Sequence, residues 1–180
     1  MRGREQVAAV CYRLRNRKIE FLLVQTRGGR WTFPKGSAEP GLTHAQAAAL
    51  EAFEEAGVHG RMEEASFAHY TRRKGGAEVV VNAHLCEVLW LGPPQEANRN
   101  PSWFPTEKAK RKLREDRNGT DASEFSRVVD RALTRIQKQR RLFPVTIDAM
   151  QKVQFTLDRP KSSTAGKGPY LIRRKDHSGR

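Results

Sequence analysis

The stretch PKGSAEPGLTHAQAAALEAFEEAGV, residues 34–58, contains the strongest local structural signals in the chain. Thr43 and Gln46 have the spacing of a capping box, in which each side chain bonds to the backbone of the other residue at the start of a helix. Gly57 is placed to end that helix in the left-handed conformation that glycine adopts easily. The stretch therefore predicts a loop followed by a helix that ends near Ala56.

Three glutamates, Glu51, Glu54 and Glu55, lie near the C-terminal end of this predicted helix. At ~100° per residue they fall within a sector of roughly 100°. Like charges at these spacings cost about 0.2–0.5 kcal/mol per pair, and the helix dipole disfavours acids in the last turn. A hard divalent cation reverses both effects, and carboxylate oxygens suit Mg²⁺ or Mn²⁺. From the acids alone, a solvated face paired with nearby lysine or arginine stays an alternative.

The spacing of residues 36–58 resembles the Nudix hydrolase signature, a glycine and a spaced glutamate followed by Arg-Glu-apolar-x-Glu-Glu-x-Gly-apolar. The preceding WTFPKG also resembles the segment that leads into that signature, and the strand order extends the resemblance to roughly residues 5–140. The resemblance implies an α/β fold, a Nudix-type α/β/α sandwich with a mixed sheet. The matching positions are Gly36, Glu51, Ala52, Glu54, Glu55, Gly57 and Val58.

Two positions depart from the signature. Leu42 stands where the first glutamate is expected, and Leu50 stands where the arginine is expected. In the family that arginine pairs with a catalytic glutamate, so its loss puts catalytic power in question. Glu39 in the same loop is a candidate replacement for the missing acid. The pattern looks most like the branch of diphosphoinositol polyphosphate and dinucleoside polyphosphate hydrolases.

The resemblance implies a metal-dependent hydrolase that cleaves a phosphoanhydride bond in a nucleoside diphosphate-linked or polyphosphorylated substrate. Glu51, Glu54 and Glu55 are then the predicted catalytic residues and ligands of Mg²⁺ or Mn²⁺. The sequence does not decide whether one of them serves instead as the general base. A backbone carbonyl beside Gly36 is a further predicted ligand, because glycine lets the chain pass close to the ion.

Basic side chains are expected to bind the phosphates of such a substrate. Lys35, next to Gly36, is the strongest candidate, although any single surface cation is more often simply solvated. Several cations near a metal site favour a substrate with many phosphates over a compact diphosphate sugar. The further substrate-binding candidates are Arg27, Arg72, Arg73 and Lys74.

The positive charge of the chain is concentrated towards its end. The 180 residues have a formal net charge of +14, and residues 134–180 contain 12 lysines and arginines against three acids. We expect a Nudix domain over residues 1–158 and a flexible basic tail over residues 159–180 with weak contact to nucleic acid. The alternative function is a catalytically weakened Nudix-fold protein that binds a phosphorylated ligand or RNA.

Apolar patterning outside the signature predicts the remaining elements. A hairpin is expected from strands at 6–14 and 19–27, a long bent strand at 77–91, a short basic helix after Phe104, and a helix at 122–139. Cys11 and Cys86 lie in apolar runs and are expected to be buried free thiols. Together with the lack of a long apolar segment, this predicts a soluble cytoplasmic protein without a membrane partner. The oligomeric state stays open.

Overall fold

The computed structural model describes residues 5–142, apart from the side chain of Lys74. The predicted boundary at residue 158 and the predicted basic tail at 159–180 lie outside the described residues. In the described part of the chain, no helix is long and apolar enough to cross a membrane. The elements in chain order are β1 Gln6–Arg15, β2 Lys18–Gln25, β3 Trp31–Thr32, β4 Lys35–Ser37, α1 His44–Ala56, β5 Val58–Met62, β6 Ala68–Lys74, β7 Ala77–Leu91, β8 Ser102–Pro105, α2 Thr106–Arg114 and α3 Gly119–Leu142.

The strands form one mixed sheet in the order β3-β2-β1-β7-β5, as the α/β prediction requires. The central strand β1 is parallel to β7 and antiparallel to β2 and β4. The β1–β2 hairpin turns at Asn16 and Arg17, both with positive φ, where the sequence predicted a turn. The remaining strands extend the sheet, since β6 pairs with β7 and β8 pairs with β2.

Helices cover both faces of the sheet, so the predicted three-layer arrangement is confirmed. One core lies under α1 and is built largely from alanines of the helix, including Ala48 and Ala52, which let it approach β1 closely. The other core lies under α2 and α3 and contains Phe125, Val129 and Ile136 of α3. Helix α1 ends at Ala56 and leads directly into β5, the last strand of this order.

The predicted ends of α1 are confirmed. The Thr43 hydroxyl accepts from the backbone N–H of Gln46 at 3.2 Å, and the Gln46 side chain accepts from the backbone N–H of Thr43 at 3.0 Å. At the other end Gly57 has φ 66° and its N–H bonds to carbonyls of the last turn. The helix register, and with it the position of each glutamate, is therefore fixed at both ends.

Several boundaries differ from the sequence prediction. Helix α3 begins at Gly119 rather than at 122, because the side chain of Asn118 accepts from the backbone N–H of Asp121 at 2.9 Å and starts the helix before its first apolar residue. Strand β5 was not predicted; it forms because residues after Gly57 pair antiparallel with β7. Strand β2 ends at Gln25, two residues before the predicted end at Arg27.

The two cysteines are free and buried, as predicted. Cys11 of β1 and Cys86 of β7 are direct neighbours in the parallel register. Burial and the neighbouring thiol raise the pKa of Cys11 well above its ordinary value, with the hydrogen bond to Cys86 as the largest cause. Both side chains therefore act as small apolar groups in the core under α1.

A side chain at Gly57 would collide with the loop after β7. A Cβ at this position would lie 2.0 Å from the carbonyl oxygen of Gly92, in addition to the strain of a positive φ. We expect Gly57→Ala to lower the free energy of unfolding by more than the roughly 1–2 kcal/mol of left-handed backbone strain alone. Gly41→Ala is the matched control, since Gly41 has φ +83° and open space around it. Equal losses in the two variants, measured by urea unfolding, would contradict the predicted clash.

Candidate active site

Strand β4 divides the candidate site into two sides. Its residue Gly36 pairs with Val7, which belongs to the core under α1, and Lys35 pairs with Ala8, which belongs to the opposite core. Because paired residues in a sheet point to the same face, Gly36 faces α1 and the Lys35 side chain faces the α3 layer. Neighbouring positions of one short strand thus meet acidic groups on one side and basic groups on the other.

The carboxylate of Glu51 lies directly on Gly36. A Cβ at position 36 would come within 1.7 Å of Glu51 Oε1, so only glycine leaves room for this side chain. The pKa of Glu51 is raised from 4.5 to about 7, first by burial and then by the charges of the other acids. The contributing acids are Glu55, Glu54, Glu96 and Glu39.

Glu55 is the most enclosed acid of the site, with 2% of its surface exposed. Its Oε1 atom lies 2.8 Å from Nη2 of Arg99, and its Oε2 atom accepts from the backbone N–H of Lys35 at 3.3 Å. Burial raises the pKa of Glu55, while the charges of Arg99 and Lys35 oppose that rise. Both carboxylate oxygens are therefore held in place by groups from outside the helix.

The loop from Gly92 to Pro101, between β7 and β8, is fastened to the end of α1. The backbone N–H of Gly92 donates to the carbonyl of Gly57 at 2.7 Å. The backbone N–H groups of Gln95 and Glu96 donate to the carbonyl of Glu54 at 2.9 and 2.8 Å. These bonds satisfy carbonyls at the end of the helix, which would otherwise lack partners.

The acids offer the right donor type for a divalent cation but no preassembled cage. Within residues 5–142 there is no group of three histidine, cysteine, aspartate or glutamate side chains arranged to hold a metal ion. The charges of neighbouring acids raise the pKa of Glu51, an environment suited to a hard cation, and the Gly36 cradle gives Glu51 a defined place. The acids therefore fit the predicted role, and metal binding by Glu51, Glu54 and Glu55 stays a prediction.

The two positions that depart from the signature have different surroundings. Leu42 packs against the core under α1, so an apolar residue is accommodated where an acid was expected. Because position 50 is leucine, α1 contains no lysine or arginine along its whole length. The proposed substitute Glu39 is close enough to raise the pKa of Glu51.

On the other side of β4, three cations surround one another. The pKa of Lys35 is lowered from 10.5 to about 8, first by burial and then by the charges of Arg72, Arg99 and Arg117. Arg117 donates to the carbonyls of Leu113 and of Trp31, the latter at 2.6 Å. Glu55 raises the pKa of Lys35, while Asp121 and Asp116 raise that of Arg117, so acids offset part of this charge.

Two buried polar atoms lack partners in or beside this cationic cluster, which we define as Lys35, Arg72 and Arg117. Arg72 Nε and the hydroxyl of Tyr70 find no hydrogen-bond partner among the described residues. Unsatisfied buried donors cost free energy, so such groups call for a partner that residues 5–142 do not provide. The cluster has the charge and the spare donors to receive an anion.

The other candidate cations lie elsewhere. Arg27 is exposed and lines a cleft of about 580 Å³ together with Glu96, Ala97, Asn98 and Arg99. Arg73 is exposed and follows Arg72 on β6, so its side chain points to the opposite face. The side chain of Lys74 lies outside the described residues. The structure thus brings Lys35 and Arg72 together. Arg27 lies across the cleft from the loop between β7 and β8, which carries Glu96 and Arg99.

Sequence reasoning missed Arg99 and Arg117. Both come from segments that pack on the site only in the folded protein, and neither occupies a motif position. The one available signal was the question of what offsets the charge of the acidic helix, since α1 contains no cation of its own. That question predicts a basic residue near Glu55 without saying where in the chain it comes from.

The raised pKa of Glu51 predicts a pH dependence of stability. Between pH 4.5 and about 7 the folded, metal-free protein keeps a proton on Glu51 that the unfolded chain has lost. The free energy of unfolding must therefore fall as pH rises through this window, by the contribution of this group. We expect Glu51→Gln to remove that fall. The measurement is the thermal midpoint across the window with chelator present, and identical pH profiles in the two proteins would contradict it.

The chain is similar to a known protein family and to several solved structures. A family model described as NUDIX domain matches residues 4–124, more than half of the chain. Structures similar to this chain include two of a Caenorhabditis elegans Ap4A hydrolase. One, a binary complex, is 27% identical, covers 71% of this chain and 98% of that chain, and has a TM-score of 0.57. The other is 26% identical, covers 74% and 98%, and has a TM-score of 0.59.

A third similar structure is the NUDIX domain of Shewanella oneidensis NrtR, solved with ADP ribose. It covers 76% of this chain and 90% of that chain with a TM-score of 0.59. At 16% identity this likeness concerns the fold alone.

Proposed function

Because the chain belongs to the Nudix family, we propose that it is a metal-dependent pyrophosphohydrolase acting on a polyphosphorylated substrate. The observation that carries the proposal is the pairing of opposite charges across β4. Glu51 lies on Gly36 on one side of the strand, and Lys35 joins Arg72 and Arg117 on the other. Hydrolysis of a phosphoanhydride needs both kinds of group within reach of one phosphate chain.

The chain's own residues have separable roles in this proposal. Glu51, Glu54 and Glu55, with the backbone carbonyl at Gly36, would hold Mg²⁺ or Mn²⁺. When bound, the ion would neutralise phosphate charge and lower the pKa of the attacking water. Lys35 and Arg72 would bind the phosphate oxygens, and the spare donor at Arg72 Nε supports this assignment. Arg27 would contact the part of the substrate that extends into the adjacent cleft.

The substrate class proposed is a dinucleoside polyphosphate. The cationic cluster provides more positive charge than a compact diphosphate needs, which supports a longer phosphate chain. The likeness to the C. elegans Ap4A hydrolase, at 26–27% identity over 98% of that protein, supports the same class. A diphosphoinositol has comparable charge and stays the second member of the proposed class.

The test is a substrate panel assayed for product by chromatography with Mg²⁺, with Mn²⁺ and with chelator. The panel contains dinucleoside polyphosphates, diphosphoinositols, ADP-ribose and triphosphorylated RNA. We expect turnover of a dinucleoside polyphosphate that stops when the metal is chelated. No turnover of any member, or turnover that persists under chelation, would reject the proposed function.

A second candidate function is binding of RNA or another phosphorylated ligand without efficient catalysis. The observation favouring it is the exposed basic face of α2, where Lys108, Arg111 and Arg114 point away from buried Ala109 and Leu113. Phosphate contacts of this kind make affinity fall steeply with salt. Salt-sensitive RNA binding that Arg111→Glu and Arg114→Glu abolish, in a protein with no turnover, would support this function over the first.

A further inference from the structure

The buried carboxylate of Glu55 requires a cation that its own helix does not supply. A buried charge is tolerated only when it is paired and hydrogen-bonded. Helix α1 contains no lysine or arginine, and the residue at position 50 is leucine. The cation comes instead from Arg99, whose Nη2 lies 2.8 Å from Glu55 Oε1.

The loop holds Arg99 in place from several directions. The backbone carbonyl of Arg99 accepts from the N–H of Gln25 at 2.6 Å, which ties the loop to β2. The Arg99 Nε donates to Glu96 Oε2 at 2.6 Å, and Glu96 is itself bonded through its backbone to Glu54. With 22% of its side chain exposed, Arg99 is mostly enclosed. A guanidinium fixed at both its backbone and its Nε can impose one position on Glu55.

We propose that Arg99 is a positioning residue that fixes the carboxylate of Glu55 for metal binding and hydrolysis, in place of a cation on α1. Its guanidinium bonds to Glu55, to Glu96 and to the carbonyl of Gln25, so we expect it to act through Glu55 rather than on the substrate. The inference rests on the proposed function for the role of Glu55. Partners of this kind typically change metal affinity or activity by about 10–100-fold when they are removed.

Two other roles for Arg99 make different predictions. If Arg99 only fills the place of a metal ion, its removal would tighten metal binding, because a competitor for Glu55 is lost. If Arg99 contacts the substrate from the cleft it shares with Arg27, its removal would raise KM and leave kcat and Mn²⁺ affinity unchanged.

The test uses the full chain with Arg99→Ala and Arg99→Lys. The matched control is Arg13→Ala, which removes an arginine paired with Glu20 at 2.7 Å in the β1–β2 hairpin. Mn²⁺ affinity is measured by counting free Mn²⁺ with electron paramagnetic resonance. We expect Arg99→Ala to weaken Mn²⁺ binding by about 10–100-fold and to lower kcat by a similar factor. Arg99→Lys should recover part of both losses, and Arg13→Ala should change neither.

Combining the variant with Glu55→Gln separates positioning from general destabilisation. Residues that act as one unit give strongly non-additive effects. We expect Arg99→Ala to cost little more once Glu55 is already Gln. Unchanged or tighter Mn²⁺ binding in Arg99→Ala, a loss confined to KM, additive losses, or no Mn²⁺ binding by the unmodified chain would each overturn the proposal. Mn²⁺ binding that depends on Arg99 without turnover of any substrate would instead reject the proposed function alone.

Discussion

Glu55→Gln is expected to reduce kcat by about 10²–10⁴-fold, the range over which a positioned acid or base contributes to catalysis. The replacement keeps the shape of the side chain and removes its charge. Glu55 is 2% exposed and both of its oxygens have partners. Neither a solvent molecule nor a small movement of the helix can therefore put another carboxylate in its place. The loss follows whether Glu55 binds the metal or accepts the proton of water, because both roles need the carboxylate.

Folding is the alternative explanation of such a loss, and a matched variant addresses it. Glu20→Gln removes the charge of another glutamate with a close arginine partner, Arg13, on the β1–β2 hairpin. We expect both variants to keep the far-ultraviolet circular dichroism of the unmodified protein and only Glu55→Gln to lose turnover. Glu55→Gln retaining more than about a tenth of kcat would show that this side chain carries no catalytic role of the expected size.

The parts of the fold that the sequence predicted well are those with local causes. The capping box at Thr43 and the left-handed residue Gly57 act within a few residues of themselves, so α1 could be placed accurately. The hairpin turn at Asn16 and Arg17 has the same local character. Strand β5 was missed because its pairing partner is the end of β7, and a short strand is defined by that partner more than by its own residues.

The acidic residues of the candidate site could also be predicted from the sequence, but the cations that offset their charge could not. The spacing of Glu51 and Glu55 along one helix fixes their common face before any tertiary contact forms. Arg99 reaches Glu55 only because the loop after β7 folds back onto the end of α1 through the carbonyl of Glu54. The same holds for Arg117, which lies between α2 and α3 and is held near Lys35 by its bond to the carbonyl of Trp31. Long-range contacts of single polar residues leave no periodic pattern, so sequence reasoning could predict that a cation is needed but not which one.

Gly36→Ala is expected to lower kcat/KM by about 10²-fold, the effect of misplacing a reacting or ligating group by ~1 Å. The added Cβ would lie 1.7 Å from Oε1 and 2.1 Å from Cδ of Glu51, so the carboxylate has to leave its place. The obstructing atoms are the end of a flexible side chain, and the backbone of β4 stays paired with β1. We therefore expect the thermal midpoint to change little while Mn²⁺ affinity and turnover fall together.

The decisive comparison is between Gly36→Ala alone and Gly36→Ala combined with Glu51→Asp. Aspartate is shorter by one methylene, so it withdraws the carboxylate from the space that the new methyl group fills. If the clash causes the loss, the double variant should be impaired less than the two single losses added together, since contacting residues couple. Gly119→Ala, with open space around the added Cβ, controls for the substitution itself. Additive losses, or a thermal midpoint that falls in Gly36→Ala as far as turnover does, would show that Gly36 supports the fold rather than the place of Glu51.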